Sequence, residues 1–362
     1  METQTPKYRV LAGWIKERIQ NGEILPGERF YSENELGEMF GISRQTVRQA
    51  INLLQAEGYV QGRRGSGTYV TYRPEVAPAR TMTIGVISTY VDDYIFPPII
   101  RGIGKTLTKN GYSMQLVFTL NKVENETRAL KSMLERGVDG VIAEPTKSGL
   151  PNPNGELYRE LAERQIPVIF FNAYYPGLAL PHVALDDKAA GKVATQRLIR
   201  AGHRKIAAIF QSDDLQGHLR YAGYLEALME NGIDMNANRV LWFATEDLAS
   251  LFADETRILR RMEGASAVMC YNDQVAVRLL AVLARNGIEV PRDLSVVSVD
   301  NSVLAEHSTP PLTSINHPKE VLGKAVAENL LRRIENPAYD ASAEFEAKLV
   351  ERDSVRQLGT NA

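Results

Sequence analysis

The stretch Ser32-Glu33-Asn34-Glu35-Leu36-Gly37-Glu38-Met39-Phe40-Gly41-Ile42-Ser43-Arg44-Gln45-Thr46-Val47-Arg48 decides how the first part of the chain folds. Ser32 followed three residues later by Glu35 is a reciprocal capping arrangement, which satisfies two orphan N–H groups at a helix start. Leu36, Met39 and Phe40 give that helix an apolar side. Gly41 suits its end, because glycine takes positive φ without steric cost, and the Ser43 hydroxyl can cap a second helix at once. In the second helix Val47, Ala50, Ile51 and Leu54 recur at i, i+3, i+4 and i+7 and mark a buried face. Arg44, Gln45, Arg48, Asn52 and Gln55 are left on the other face. Arginine matches guanine, and glutamine adenine, through paired hydrogen bonds in the major groove, and a recognition helix presents such residues near its N-terminus. Taken alone, a charged helix face more often means plain solvent exposure.

The next segment bears on that choice. Tyr59-Val60 and Thr68-Tyr69-Val70 are β-prone runs around the glycine-rich Gln61 to Gly67, which reads as a hairpin with Arg63 and Arg64 where a wing touches phosphates. Upstream, Tyr8, Leu11, Ala12, Ile15 and Ile19 share one helix face, and Leu25-Pro26-Gly27-Glu28 reads as a turn. Residues 5–72 resemble the GntR-type winged helix-turn-helix in three segments, S-E-x-E-L, G-x-S-R-x-T-V-R and G-x-G-T-Y-V. Phe30-Tyr31 and Asn34 depart from the Leu-Pro pair and the Arg common in that family. The resemblance implies DNA contacts from Glu33, Ser43, Arg44, Gln45, Thr46, Arg48, Arg63, Arg64, Gly65 and Ser66.

Across 362 residues the formal net charge is −2, so the protein is not coated in basic surface. Between Gly41 and Tyr72, however, Arg44, Arg48, Arg63 and Arg64 stand against Glu57, a local net of +3. Attraction to phosphates acts within a Debye length of about 10 Å, so the local balance is the relevant one. Cys270 is the single cysteine, which excludes an internal disulfide framework. Met1 to Lys7 is polar and has no apolar signal core, and no apolar run reaches the ~18 residues that span a bilayer, so a reducing cytoplasm is expected.

Residues 73–81 contain Pro74 and Pro78 without apolar periodicity and read as a linker after a DNA-binding domain of residues 1–72. Beyond it, strand-like and helical runs alternate: Thr83–Ser88, Pro98–Asn110, Ser113–Thr119, Glu124–Arg136, Gly140–Ala143, and so on through Leu294–Val299. Such alternation predicts an α/β fold of doubly wound parallel sheets, and the number of units predicts two lobes facing across a cleft. The lobes are expected over residues 82–202 with 318–338, and 203–317 with 339–358.

Ligands in such sheets lie beyond the carboxyl ends of strands. Tyr90, Tyr94 and Phe96 follow the first strand; Glu144, Asn172, Asn272, Asp273 and Asp300 follow later ones. Acids and amides there also serve as helix caps, the role assigned to Asp273, and the three aromatics could be ordinary core.

The segments Val183-Ala184-Leu185-Asp186-Asp187, Gly202-His203-Arg204-Lys205-Ile206, Arg220-Tyr221-Ala222-Gly223-Tyr224, Tyr271-Asn272-Asp273 and Val299-Asp300-Asn301 are similar to the LacI-type sensor domain, related to periplasmic sugar-binding proteins. The resemblance covers residues 82–355 and implies effector contacts at Asp186, Arg220, Asn272, Asp300 and His317, the last with a helix-start role as its alternative. Acids, amides and a lone arginine suit the hydroxyls of a neutral sugar, and an aromatic suits its C–H face. The order of modules, with Val141 to Ser148 and Phe171 to Tyr175, resembles the arabinose repressors of bacterial sugar operons. That resemblance implies Glu144 in contact with the sugar, L-arabinose as effector, and a dimer on a palindromic operator with heads spaced about 34 Å apart. In this scheme sugar binding closes the cleft and releases the DNA, so that the protein is a repressor without cofactor or metal. A solute receptor would share the sensor fold but has no use for a DNA module. An enzyme would need a nucleophile or phosphate loop, and neither a G-x-G-x-x-G nor a metal-ligand spacing of histidines is present.

Overall fold

The computed structural model describes residues 6–63, 66–72, 80–92 and 94–358. The expected wing residues Arg64 and Gly65 and most of the expected linker lie outside these. The chain divides into two compact units, Met1–Ala79 and Arg80–Ala362.

In the first unit, helices α1 (Lys7–Gln20), α2 (Glu33–Phe40) and α3 (Arg44–Ala56) precede a hairpin of β1 (Val60–Arg63) and β2 (Gly67–Val70). The capping box forms as the spacing predicts: the Ser32 hydroxyl accepts the Glu35 N–H at 3.3 Å while Glu35 Oε2 accepts the Ser32 N–H at 2.7 Å. Gly41 ends α2 at φ +61°, and Ser43 Oγ then accepts the Thr46 N–H to start α3. Leu11, Ile15 and Ile19 of α1 meet Leu36 of α2 and Val47, Ala50 and Leu54 of α3 in one core. β1 and β2 pair antiparallel from Val60 opposite Val70 to Arg63 opposite Gly67. Phe30, one of the departures from the family pattern, is buried in this core, and the Trp14 ring meets Phe40 edge-on at 4.9 Å.

Among the described residues, the second unit carries two six-stranded sheets. One is ordered Ala343–Phe345, His182–Leu185, Val168–Phe171, Gly140–Ala143, Thr83–Ser88, Ser113–Phe118, all parallel. The other is ordered Lys348–Val350, Thr313–Asn316, Ser295–Asp300, Ala267–Cys270, Ile206–Gln211, Val240–Phe243, with the first of these antiparallel to its neighbour. Strands such as Val168–Phe171 and Ala267–Cys270 are apolar at every position because helices cover both faces of the sheet.

Three crossings join the lobes. After His182–Leu185 the chain leaves the first sheet, and the helix Asp187–Arg200 packs in the second lobe with Leu215–Glu230. After Thr313–Asn316 it returns, and the helix Lys319–Glu335 packs in the first lobe against Phe96–Lys109. It crosses again between Phe345 and Lys348. The lobe bounds expected from sequence differ at two of these points: the Asp187–Arg200 helix sits in lobe two, and Ala343–Phe345 in lobe one. Each lobe also contains a very close helix pair. A Cβ on Gly191 would lie 2.0 Å from the Arg220 carbonyl oxygen, and one on Gly323 would lie 2.1 Å from that of Ile99.

Candidate effector cleft and DNA-reading face

Between the lobes lies a cavity of about 290 Å³ into which the ends of strands from both sheets open. Seven of the expected effector residues border it: Tyr90, Tyr94, Phe96 and Glu144 from lobe one, and Arg220, Asn272 and Asp300 from lobe two. Asn172, Asp186 and His317 do not border it.

Glu144, at the end of Gly140–Ala143, is fastened by its neighbours. Oε2 accepts the Thr89 N–H at 2.7 Å and the Thr89 hydroxyl at 2.5 Å, and Oε1 accepts Asn172 Nδ2 at 2.8 Å. A carboxylate has about four acceptor directions, two on each oxygen, so Oε1 keeps one for a ligand. Burial raises the Glu144 pKa against the pull of these donors. Asn172 is thus a support behind Glu144.

Arg220 is buried to 1% exposure. Its Nε donates to Asp187 Oδ1 at 2.8 Å, Nη1 to the Tyr271 carbonyl at 2.7 Å, and Nη2 lies 2.7 Å from Asp187 Oδ1 and 3.7 Å from Asp300 Oδ1. The guanidinium carbon lies 4.8 Å from the centre of the Tyr271 ring. Burial works against the charge, but the two carboxylates outweigh it and hold Arg220 protonated. Asp187 is therefore the partner of this arginine, and Asp186, expected as an effector contact, does not border the cleft. Asp186 accepts the Ala189 N–H at 2.8 Å and caps the helix that Asp187 begins. A one-residue difference in cap position decided which of two adjacent acids faces inward.

Asp300 ends its strand at φ +105°. Its Oδ2 accepts the Tyr94 hydroxyl at 2.5 Å, and that hydroxyl also receives the Asp273 N–H at 3.1 Å, which ties lobe one to lobe two. Asp300 Oδ1 has no hydrogen-bond partner among the described residues. Burial, then Asp300 and Asp273, push the Tyr94 pKa well up, so the phenol stays a donor. Asn272 caps the Asp273–Arg285 helix through Val275 N–H at 3.0 Å. The cap expected at Asp273 thus belongs to Asn272. Asp273 instead accepts from Ser298, Ser302 and Ser314 and braces the strand ends.

His317 lies at the second crossing, 1% exposed, and among the described residues neither ring nitrogen has a partner. Burial lowers its pKa to about 4, so the ring is neutral.

Several cleft residues were not singled out from sequence: Asp214, Gln216, Tyr271, Lys147, Asn121 and Arg278. Asp214 obeys the strand-end rule, three residues past Gln211, and could have been found by it. So does Tyr271, directly after Cys270, whereas the others are set by which lobe faces them. Across the cleft mouth, Lys147 donates to Glu246 at 2.6 Å, Asn121 Nδ2 to the Thr245 hydroxyl at 2.6 Å, and the Ser148 hydroxyl to Asp214 at 3.0 Å. The cleft is closed. Arg220 is also not the lone cation expected, since Lys147 and Arg278 border the same space.

In the head, Arg44, Gln45 and Arg48 are exposed on α3. Glu33 of α2 holds Arg48 in a fork, accepting Nε at 3.0 Å and Nη2 at 2.9 Å. That pairing lowers the Glu33 pKa and raises that of Arg48. Ser43 and Thr46 hydroxyls lie 2.9 Å apart at the helix start. At the hairpin the Arg63 guanidinium carbon lies 4.6 Å from the Tyr69 ring centre, and the Ser66 and Tyr69 hydroxyls share a hydrogen bond of 2.6 Å.

Comparison with known proteins matches each unit to a family. Residues 7–70 match the bacterial regulatory proteins of the gntR family, and residues 195–355 match the periplasmic binding protein-like domain. Among solved structures, the transcription regulator CcpA of Lactococcus lactis is 28% identical with TM-score 0.68, over 76% of this chain and 100% of its own. A complex of the transcriptional regulator CelR with cellobiose is 25% identical with TM-score 0.66, over 90% of this chain and 100% of its own. The arabinose metabolism transcriptional repressor of Halalkalibacterium halodurans is 38% identical over 99% of this chain and 98% of its own length. The repressor of the same name from Geobacillus stearothermophilus is 37% identical over 99% and 100%. With such likeness along its whole length, the chain belongs to the arabinose metabolism transcriptional repressors, a family of DNA-binding regulators and not of enzymes.

Proposed function

We propose that this repressor leaves its operator when L-arabinose binds in the cleft, and that it acts as a homodimer in the cytoplasm. The observation that carries the effector reading is the closed, polar cavity of about 290 Å³, near the lower end of the range of small-molecule sites. Asp300 Oδ1, one direction of Glu144 Oε1, and Arg220 offer acceptors and donors to hydroxyls, while Tyr90 and Phe96, with ring centres 5.6 Å apart, offer apolar faces. Arg220 is neutralised by Asp187 and Lys147 by Glu246, and the exposed Arg278 is outnumbered by Glu144, Asp214 and Asp300 on the same walls, so the cleft favours a neutral ligand over a phosphorylated one. The names of the two arabinose repressors, similar over full length, support the choice of sugar.

Release follows if the sugar binds the closed sensor more tightly than the open one and the closed sensor weakens the grip of the head. By linkage, operator DNA must then weaken sugar binding by the same factor. Among the described residues no helix is long and apolar enough to cross a membrane.

Thermal unfolding against neutral monosaccharides and their phosphates tests the ligand, since a ligand at a hundred times its Kd stabilises by about 2.7 kcal/mol. Gel shifts with an operator fragment test the coupling. L-arabinose should both stabilise the protein and release the DNA. Stabilisation by a sugar phosphate alone, or release by no sugar, would overturn the reading.

A further inference from the structure

The sheet of the head is wider than its hairpin. Residues 27–30, between the turn after α1 and the start of α2, run alongside β2. The Gly27 N–H donates to the Val70 carbonyl at 2.8 Å, the Phe30 N–H to that of Thr68 at 2.7 Å, and the Val70 N–H to that of Glu28 at 3.1 Å. Arg29 is thereby the antiparallel partner of Tyr69. We propose that Arg29 is a further DNA contact, which together with Arg63 binds a phosphate of the operator backbone beside α3.

Alternation along the strands decides which side chains share a face. Val60 and Val70 belong to the core of the head, so Gln61, Arg63, Gly67, Tyr69 and Arg29 share the outer face. Two arginines lean over β2 from its opposite sides. Arg63 stands opposite Gly67 and carries its guanidinium over the Tyr69 ring. Arg29 stands opposite Tyr69 and carries its own over Gly67, with Nε 3.0 Å and Nη2 3.7 Å from where a Cβ would be. The missing side chain at Gly67 is the space that Arg29 uses. Positions two apart on a strand are separated by about 6.8 Å, so the two like charges lie well within a Debye length of each other.

Neither charge is matched within the head. Among the described residues its ion pairs are Lys16–Glu57, Arg18–Glu23 and Arg48–Glu33, and both Arg29 and Arg63 are exposed. Glu35 feels the charge of Arg29, but its carboxylate accepts the Ser32 N–H in the capping box, and Glu28 accepts the Leu25 N–H. Two neighbouring guanidinium groups without a carboxylate suit an anion that takes a charged hydrogen bond from each, as a phosphodiester can. The shape of the surface favours the DNA backbone over a base. A face of three strands is about 10 Å across, too broad for a minor groove about 6 Å wide, and the element that fits a major groove is α3. Four residues after Arg29, Glu33 holds Arg48 of α3, so the segment 29–33 joins this face to the reading helix. The contact is independent of which sugar fills the cleft.

Fluorescence anisotropy of the full chain on two labelled duplexes, one with the operator and one of unrelated sequence, tests this from about 50 to about 200 mM salt. Arg29→Gln should weaken both complexes by the same factor, roughly tenfold at the lowest salt. It should also make log affinity against log salt shallower by about 0.9 for each head bound. Arg29→Lys keeps the charge and should restore the slope. Both variants should unfold at the wild-type midpoint and respond to L-arabinose as the wild type does. An unchanged salt slope in Arg29→Gln, with or without a loss of affinity, would overturn the phosphate contact. So would a loss confined to the operator duplex, which marks a base contact, or a slope that Arg29→Lys fails to restore. A wild-type chain that ignores L-arabinose but shows the expected slopes would refute only the choice of effector.

Discussion

The Tyr94 hydroxyl and Asp300 Oδ2, 2.5 Å apart, span the two lobes: Tyr94 comes from the segment after the first strand of lobe one, and Asp300 ends a strand of lobe two. Such a bond exists only while the cleft is closed. In an open cleft water takes its place, so the bond shifts the equilibrium toward the closed form.

Tyr94→Phe therefore penalises closure while keeping the ring. A hydrogen bond to a charged acceptor contributes about 1.5–3 kcal/mol net, so the variant should bind effector roughly tenfold to a hundredfold more weakly. Its operator affinity without sugar should be no weaker than that of the wild type, because fewer molecules take the closed form that loosens the head. Isothermal titration and a gel shift read the two quantities, and an unchanged sugar Kd would show that the contact has no part in closure.

Arg48 is held in its fork by Glu33, with the exposed α3 face around it. Arg48→Ala should weaken operator binding by about tenfold to a hundredfold, the scale of a lost bidentate base contact. Glu33→Gln should give a smaller loss, because the arginine keeps its charge and loses only its orientation. Neither change should alter sugar affinity. Wild-type gel-shift behaviour of Arg48→Ala would remove this face of α3 from the reading surface.

These two sites differ in how far they were legible in the sequence. The head is specified locally: a capping box, one left-handed glycine and one helical period define α2 and α3, and all of these lie within a few residues of one another. In the sensor, the rhythm of strands and helices predicts the sheets, and the strand-end rule finds Glu144, Asn272 and Asp300. It could not separate Asp186 from Asp187, because that depends on which residue caps the helix. Nor could it assign Ala343–Phe345 and Lys348–Val350 to different lobes, since runs of three residues carry too little alternation to name a sheet. Lys147 and Asn121 owe their place to contacts with the opposite lobe, which no local pattern encodes.

Gly191 shows how a site can depend on a residue with no side chain. Its Cβ would fall 2.0 Å from the Arg220 carbonyl oxygen, a backbone atom that cannot move aside without its helix. Gly191→Ala should thus push the Leu215–Glu230 helix away, pulling Arg220 from Asp187 and from Tyr271. Overpacking of this kind costs typically about 1–3 kcal/mol. The measured outcome should be a lower unfolding midpoint together with weakened sugar binding. A variant as stable as the wild type would show that the helices have room to part.

His317 links the hinge to pH. Its ring titrates near 6.5 in an unfolded chain and at about 4 when folded, because burial disfavours the imidazolium. Above pH 6.5 the ring is neutral in both states and adds no pH dependence. As pH falls below 6.5 the unfolded chain takes up a proton that the folded chain refuses, so stability declines until the folded ring also protonates near pH 4. At about 1.36 kcal/mol per unit, this gap corresponds to on the order of 3 kcal/mol. Glu144 and Asp187, whose pKa values burial raises, act in the opposite direction, but they are common to wild type and variant. His317→Gln cannot protonate, so its advantage over the wild type in denaturant-unfolding free energy should grow steadily from pH 6.5 to 4. If the two curves run parallel across that window, the ring is hydrated or paired in solution and the hinge is not dry.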